Sequence, residues 1–541
     1  MKPVRIIPRL DVKGANLVKG VHLEGLRVIG RPERFASRYY QDGADELLYI
    51  DAVASLYGRN NLEEIVKKTA EDVFIPITVG GGIRTIDDIR RLLRAGADKV
   101  AINTEAIRNP EIISEGAKVF GSQCIVVSIQ AMKVGRRKYE PYTDNGREPT
   151  GKGVVEWVKQ AVDMGAGEIL ITSIDQEGTG NGFDLELFSE VVESVPVPVI
   201  ACGGAGRAMH FQEIIRKCNV DAVSAASIFH YNAVSKIGVE KCEEGNIEYL
   251  KKFVDVNDSS ILKKLEPISV SDLKSYLKNV GVKSIDLSLA RSVNNNGFTG
   301  KPGKDRSKTI QNTVKMSTRV ALVDYERSNL FSVEAALRKV GADVIIARNR
   351  KGIMSADKLV IAGVGAFGDG MKGMKDNDLI NPIKEFAATG KPVLGICLGM
   401  QLFMSEGEEF GVHEGLDLIK GRVVRLEEAG VDAGKIKIPH VGWSHLFPPD
   451  NNGTPQTSEH SDIWQKEAIL RGILEGSYVY FIHSNVVVPD DKDLIIAKAV
   501  YGNNNICTVI RKGNIVGCQF HPERSGVVGL KIYSNFVSNF Q

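Results

Sequence analysis

From residue 1 to about 230, short apolar runs recur at an even spacing: RIIPRLDV, ADELLYIDAV, VFIPITVGG, ADKVAIN, QCIVVSI, AGEILITSID, VPVIACGG and VDAVSAAS. Each run is rich in β-branched residues, and the segments between them carry apolar residues at helical spacing. A doubly wound open sheet also alternates strand and helix, but eight even units favour closure into a (β/α)8 TIM barrel. Residues 231–267 break the rhythm and read as an insertion. SVSDLKSYLKNVGV (269–282) returns to helical spacing and is read as the last outer helix. Residues 286–317 are polar and rich in Asn, Gly, Lys and Ser, the pattern of a flexible linker. A second α/β pattern starts at RVALVDY and continues through KLVIAG, KPVLGIC, YVYFIHS and NIVGCQF. The expected organisation is a barrel domain over 1–285, a linker over 286–317 and an open α/β domain over 318–541.

The barrel half repeats itself. LLYIDAVAS resembles ILITSIDQE, which sets Asp51 against Asp175, and ITVGGGIR resembles VIACGGAGR, which sets Gly82 against Gly204. A similar offset, 119 residues against 124 and 122, puts Asp11, at the end of IIPRLDVKG, on strand 1, and Gln130, at the end of CIVVSIQAMKV, on strand 5. One end offers a carboxylate; the other offers an amide, which has no pKa near neutrality and only exchanges hydrogen bonds. Two Gly-Gly strand ends, with Asn103-Thr104 and Ala226-Ser227 after strands 4 and 8, suit phosphate cradling by backbone N–H groups. Two such sites imply a substrate with a phosphate at each end. Read alone, each Gly-Gly is also an ordinary tight turn.

Composition narrows the class. Apolar residues make up 43% and charged residues 25% of the 541, the profile of a globular chain without a disorder signature. A net charge of +2 with scattered basic residues gives no basis for a nucleic-acid or membrane surface. No stretch approaches the roughly 18 uninterrupted apolar residues of a membrane span, and the charged N-terminus does not read as a signal peptide. Seven cysteines without a CxxC pair argue against disulfides and against a zinc site, so a cytoplasmic location is expected, with no metal or cofactor. One of the seven is a candidate nucleophile.

That candidate is Cys397 in KPVLGICLGMQLF. A strand meets a helix across Gly395-Ile396-Cys397-Leu398-Gly399, a turn that lifts a nucleophile to a helix N-terminus, where backbone N–H groups favour a thiolate and hold an oxyanion. GCQFHPERSG supplies His521 as base and Glu523 two residues on; extended backbone would put both on one side. His483 in YFIHSN competes as base and is read as structural. A buried cysteine at a strand end is the bland alternative for Cys397. Together these motifs resemble the class I (triad) glutamine amidotransferases over nearly all of 318–541. The resemblance implies glutamine hydrolysis through a Cys397 thioester with His521 and Glu523, an oxyanion hole around Gly363 and Leu398, and Gln401 near the substrate. Two positions depart from that family: Ala362 stands where proline is usual, and DYERSNL is poorer in glycine.

LDVKG, LVKGVHLEGLR, TVGGGIR, AGADKVAIN, TSIDQEGTGNGFD and ACGGAG, in that order, resemble the cyclase family of imidazole glycerol phosphate synthase over residues 1 to about 285. The resemblance implies that ammonia passes through the barrel to a bis-phosphorylated ribulosyl aminoimidazole carboxamide in histidine biosynthesis. It gives Asp11 acid–base work and substrate or phosphate contacts to Lys19, Asp51, Gly82, Asn103, Thr104, Gln130, Asp175, Gly178, Gly204 and Ser227. It further implies an ammonia gate of Arg5, Glu46, Lys99 and Glu168, residues that otherwise read as ordinary ion pairs. A linker of this length reaches about 30 Å, enough to dock the glutaminase under the barrel. The departures cluster at the mouth: Gln130, Arg9 for the usual Cys, Gly14, and the loops VHLEGLRVIG and SLYGRN. They motivate an alternative, a glutaminase that supplies ammonia to a separate surface-sugar amidotransferase partner. A scaffold with an inactive barrel is the weakest reading.

Overall fold

The computed structural model describes residues 3–54, 62–238, 264–286, 317–326, 330–432, 436–450, 464 and 466–540. Most of the expected linker, residues 287–316, and the SLYGRN loop lie outside the described residues. The eight runs form β1 (Arg5–Lys13), β2 (Leu47–Asp51), β3 (Ile77–Gly80), β4 (Lys99–Ile102), β5 (Ile125–Gly135), β6 (Glu168–Ser173), β7 (Val199–Cys202) and β8 (Ala222–Ala225). All pair in parallel with their neighbours; β8 returns to β1, which closes the ring. Helices wrap it, with starts fixed by local chemistry: Thr85 and Asp88 form a capping box, and Ser269 caps the expected last helix, Val270–Asn279.

Strand alternation sorts the barrel into an outer shell and an axis. On β1, Ile6, Leu10 and Val12 pack beneath the helices, whereas Ile7 joins an interior cluster with Leu48, Ile50, Val126, Leu170 and Ile200. Arg5, Arg9 and Asp11 share the inward parity of Ile7. The axis therefore carries charge at both ends and an apolar layer between.

The segment read as a substrate loop, 21–30, is ordered differently. Asn16–Val21 and Glu24–Gly30 form an antiparallel hairpin that turns at His22 and Leu23, both with positive φ (51° and 64°). The small apolar pair Val18 and Val28 covers one of its faces. His22 ties the hairpin to the β6 loop through N–H to Glu177 O (2.9 Å) and Nδ1 to Ile174 O (2.9 Å).

The second domain is a seven-stranded sheet. Its strands are β9 (Arg319–Val323), β10 (Asp343–Ala347), β11 (Lys358–Gly363), β12 (Val393–Cys397), β13 (Ile495–Tyr501), β14 (Asn504–Lys512) and β15 (Ile515–Cys518), in the spatial order β10-β9-β11-β12-β15-β14-β13. YVYFIHS is a strand (Tyr478–His483) but not of this sheet; it pairs with His440–His445 alone. Its two faces explain why. Val479 and Phe481 pack into the glutaminase core, while Tyr480 and Ile482 pack into the barrel core with Val441 and Trp443. A strand apolar on both faces becomes a wedge between domains.

Docking takes place at the N-terminal ends of the barrel strands. Trp443 Nε1 donates to Asp45 O (3.0 Å), Gly526 N to Phe74 O (2.9 Å) and Arg524 to Asp98 (2.9 Å), Val73 O (3.1 Å) and Gly96 O. The buried Arg524–Asp98 pair is locked by neighbours, since Arg524 also donates to Ser332 Oγ (2.6 Å).

Candidate active sites

β11, β12 and β15 are adjacent, so their C-terminal ends bring together the residues expected of a triad amidotransferase. Gly363 stands in register with Cys397, and Ile396 with Cys518, three residues before His521. Cys397 is 3% exposed and holds φ 51°, ψ −107°, a conformation that costs a non-glycine residue about 1–3 kcal/mol and marks a nucleophile elbow. The flanking glycines are required by packing: a Cβ on Gly399 would lie 1.8 Å from Ile361 O, and one on Gly395 2.7 Å from Met400 N. Leu398 opens the helical turn that follows Cys397. Gly363 is equally constrained, because a Cβ would meet the Tyr325 hydroxyl at 1.8 Å. That hydroxyl, from the glycine-poor DYERSNL segment, donates to the carbonyl of Ala362 (3.1 Å), the position where proline is usual.

His521 Nδ1 meets Glu523 Oε1 at 2.7 Å, and Tyr533 OH donates to Glu523 Oε2 at 3.0 Å. The pair forms as expected, but not on extended backbone: Pro522 starts a 3₁₀ turn over Pro522–Arg524, with its ring-fixed φ suited to the first helical position. His521 Nε2 is buried without a fixed partner. Burial opposes a charge on this imidazole, yet Cys397 and then Glu523 outweigh it and hold its pKa well above the ordinary value. Burial would raise the Glu523 pKa; His521 reverses this and leaves it lowered. His483 is structural. Its Nδ1 donates to Asn485 O (2.8 Å) and its Nε2 accepts from His440 Nδ1 (3.2 Å), so both nitrogens are engaged, and burial pulls its pKa down to about 4. Gln519, not singled out by sequence reasoning, donates from Nε2 to Cys397 Sγ (3.6 Å) and accepts from Gln401 Nε2 (3.2 Å). Its signal was its place two residues before His521, on the run that leads out of β15.

Below the barrel axis, Arg5, Glu46, Lys99 and Glu168 form a closed ring. Arg5 binds Glu46 (2.7 Å) and Glu168, and Lys99 binds Glu46 (2.6 Å) and Glu168 (2.5 Å). Thr78 adds a hydroxyl to Glu46 (2.5 Å). All four charged groups are at most 2% exposed, which separates them from surface ion pairs. Burial acts to raise the Glu46 pKa, but Lys99 and Arg5 leave it lowered.

At the opposite end, β1 and β5 lie four strands apart in a ring of eight, so Asp11 and Gln130 approach the mouth from opposite sides. Arg9 Nε donates to Asp11 Oδ1 (2.7 Å), and its Nη1 to Thr172 Oγ1 (3.1 Å) and Cys202 Sγ (3.6 Å). Lys19 pairs with Glu177 (2.5 Å), whose pKa burial would raise and Lys19, with Arg9, lowers. Gln130 Oε1 accepts from Asn103 Nδ2 (3.2 Å). One cavity is lined by Asp51, Gly82, Asn103, Thr104, Ser128 and Gln130, uniting five of the expected substrate residues. Of the other five, Lys19 lies on the hairpin after β1 and four sit around β6 to β8. Asp175 accepts Lys133 N–H (2.8 Å) and Ser227 opens the helix Ser227–Ile237. Gly178 and Gly204 are held by packing, their Cβ positions 2.8 Å from Gly20 O and 1.9 Å from Gly182 O. Glu177 and the Arg9–Asp11 contact escaped the sequence reading, since nothing in TSIDQEGTGNGFD or IIPRLDVKG says which charges meet.

The two ends define the class: a (β/α)8 barrel synthase carrying a class I glutamine amidotransferase. Residues 5–235 match the histidine biosynthesis protein family, and residues 321–540 match the class-I glutamine amidotransferase family. The imidazole glycerol phosphate synthase subunit HisF of Legionella pneumophila is 63% identical over 211 residues, 39% of this chain and 100% of that protein. The subunit of the same name from Bacillus cereus (strain ATCC 10987 / NRS 248) is 51% identical over 245 residues, 45% of this chain and 97% of that protein. The chain belongs to the imidazole glycerol phosphate synthase family, as an enzyme that joins its cyclase barrel to a glutamine amidotransferase domain. These relatives lend no support to the surface-sugar alternative. Among the described residues, no helix is long and apolar enough to cross a membrane.

Proposed function

We propose that this chain is a bifunctional imidazole glycerol phosphate synthase of histidine biosynthesis. His521, oriented by Glu523, takes the proton from Cys397, whose sulfur attacks the glutamine amide. Backbone N–H groups around Gly363 and Leu398 receive the oxyanion, and ammonia leaves as the thioester forms. Ammonia then passes the Arg5–Glu46–Lys99–Glu168 ring and the apolar axis to the mouth. There it condenses with the ribulosyl carbonyl of the bis-phosphorylated substrate, whose oxygen leaves as water, beside the formimino group that joins the ribulosyl and aminoimidazole carboxamide halves. Ring closure yields imidazole glycerol phosphate and releases the aminoimidazole carboxamide ribotide.

The observation that carries this reading is Tyr480. Its backbone carbonyl accepts the N–H of His521 (2.9 Å), while its ring belongs to the barrel core and its buried hydroxyl lies in the field of Glu46, Arg5 and Glu168. One residue thus touches the triad strand and borders the gate. Cysteines 124, 202, 218, 397, 507 and 518 are free and buried, in keeping with a reducing, cytoplasmic setting.

Purified protein given ammonium salt and the ribulosyl substrate is expected to form imidazole glycerol phosphate. No product above background, with Gln130→Asp gaining it, would overturn the reading in favour of a barrel that serves another acceptor.

A further inference from the structure

The reaction proposed above requires a proton to reach the departing ribotide nitrogen, and the amide at position 130 has none to give. The other carboxyl groups at the mouth can be taken in turn. Asp11 is clamped by the buried Arg9 guanidinium (2.7 Å). Glu177 is paired with the buried Lys19 ammonium (2.5 Å). Asp175, half-buried, is taken up with the backbone N–H of Lys133 (2.8 Å). Lys19 and Arg9 hold the Glu177 carboxyl low, so it accepts protons rather than donating them, and Asp11 is already engaged by Arg9.

Asp51 differs. It is 7% exposed, and among the described residues it makes no ion pair; its carboxyl accepts backbone N–H groups, Val53 at 3.0 Å and Ala54. β2 ends at Asp51, and its side chain lines the same cavity as Gln130, Asn103 and Ser128. The charged groups on that cavity's rim are Arg84, Glu105 and Arg108, and Arg108 is engaged by Asp144 (2.6 Å). Gly81 fixes the site from β3, since a Cβ there would lie 2.9 Å from Asp51 Cβ. Burial raises the pKa of this carboxyl against the two backbone donors that lower it. A buried carboxyl without a cation is the environment in which enzymes keep an acid protonated near neutrality.

We infer that Asp51 is the proton donor of the barrel reaction, in place of the acid absent from position 130. As the ring nitrogen bonds to the formimino carbon, the bond from that carbon to the carboxamide ribotide's amine breaks. The proton passes from Asp51 to the departing nitrogen, the ring nitrogen gives up its own proton to water at the mouth, and Asp51 regains one from that water. The inference rests on the cyclase reading.

The experiment compares ammonium-dependent turnover of the full chain in four forms: unmodified, Asp51→Asn, Gln130→Asp and the double variant. Asp51→Asn is expected to lower turnover by about 10²-fold or more, within the range of a lost general acid. Glutamate release at Cys397 should be unchanged, which reports that the chain is folded. Gln130→Asp in the Asp51→Asn background is expected to restore at least about tenfold and to move the alkaline limb of the pH profile. Turnover of Asp51→Asn equal to the unmodified protein would overturn this inference alone. So would a loss that Gln130→Asp does not relieve and that leaves the pH profile unmoved, since a purely structural role predicts that. An unmodified protein without turnover overturns the cyclase reading and this inference together, and is told apart because no activity exists for Asp51→Asn to lose.

Discussion

The glutaminase site and the barrel mouth are built by opposite routes. Cys397, His521 and Glu523 come from two short stretches at neighbouring strand ends, and each glycine beside the nucleophile is enforced by a backbone atom 1.8–2.7 Å from where its Cβ would be. The mouth gathers Asp11, Lys19, Asp51, Gln130 and Glu177 from four strands and their loops, and its charges are matched pairwise: Arg9 with Asp11, Lys19 with Glu177. A site made of contiguous motif tolerates little change without losing its shape. A site made of paired charges on a rigid ring can exchange a partner, and here strand 5 presents the Gln130 amide opposite the Asp11 carboxylate.

The sharpest way to break the comparison is Cys397→Ala. Glutamine-dependent glutamate release should fall by at least about 10⁴-fold while ammonium-dependent turnover of the barrel persists. Loss of both activities would mean that the two sites are not separable. Next in size is Arg524→Met, which leaves Asp98 buried without its cation; breaking such a pair costs about 3–5 kcal/mol. A lowered unfolding midpoint and weakened coupling of the two activities are expected, and an unchanged midpoint would show that the pair contributes nothing to docking.

Acid should act on the glutaminase half through His483. Its folded pKa, about 4, lies below the ordinary 6.5. Stability is therefore complete above pH 6.5 and is lost as pH falls toward 4, by about 3 kcal/mol for a shift of this size. His483→Gln should flatten that slope in denaturant titrations at a series of pH values. The barrel has its own counterpart in His230, pulled by burial to about 3, so its acid response should continue lower. The smallest effect is reserved for Gln519→Leu. Removing a donor that touches the Cys397 sulfur should slow glutamine hydrolysis about tenfold, the worth of one hydrogen bond to a reacting group, with the unfolding midpoint held.

Much of this was legible in the chain. The eight barrel strands follow from short, near-continuous apolar runs, because each is buried on both faces. The turn at Cys397 follows from glycine spacing, because a Cβ on either flanking glycine would strike backbone. Two local expectations failed for local reasons: Pro522 turned the His521–Glu523 segment into a 3₁₀ turn, and apolar residues on both faces drew Tyr478–His483 out of the central sheet to the barrel. Most contacts that escaped reading are electrostatic and join distant parts of the chain, as Lys19 and Glu177 do. Arg9 stood out as an odd residue, but only the closed ring brings it against Thr172 and Cys202. The same holds for Arg524, which follows Glu523 in sequence yet binds the barrel at Asp98.

That last pair has a consequence beyond energetics. With both partners on one polypeptide, the encounter between glutaminase and barrel is intramolecular, and its effective concentration is on the order of millimolar whatever the dilution of the protein. Coupling should be independent of protein concentration. Asp98 and Arg524 are also inherited together, so a change on one face meets its compensating change on the other without having to find it in a separate gene.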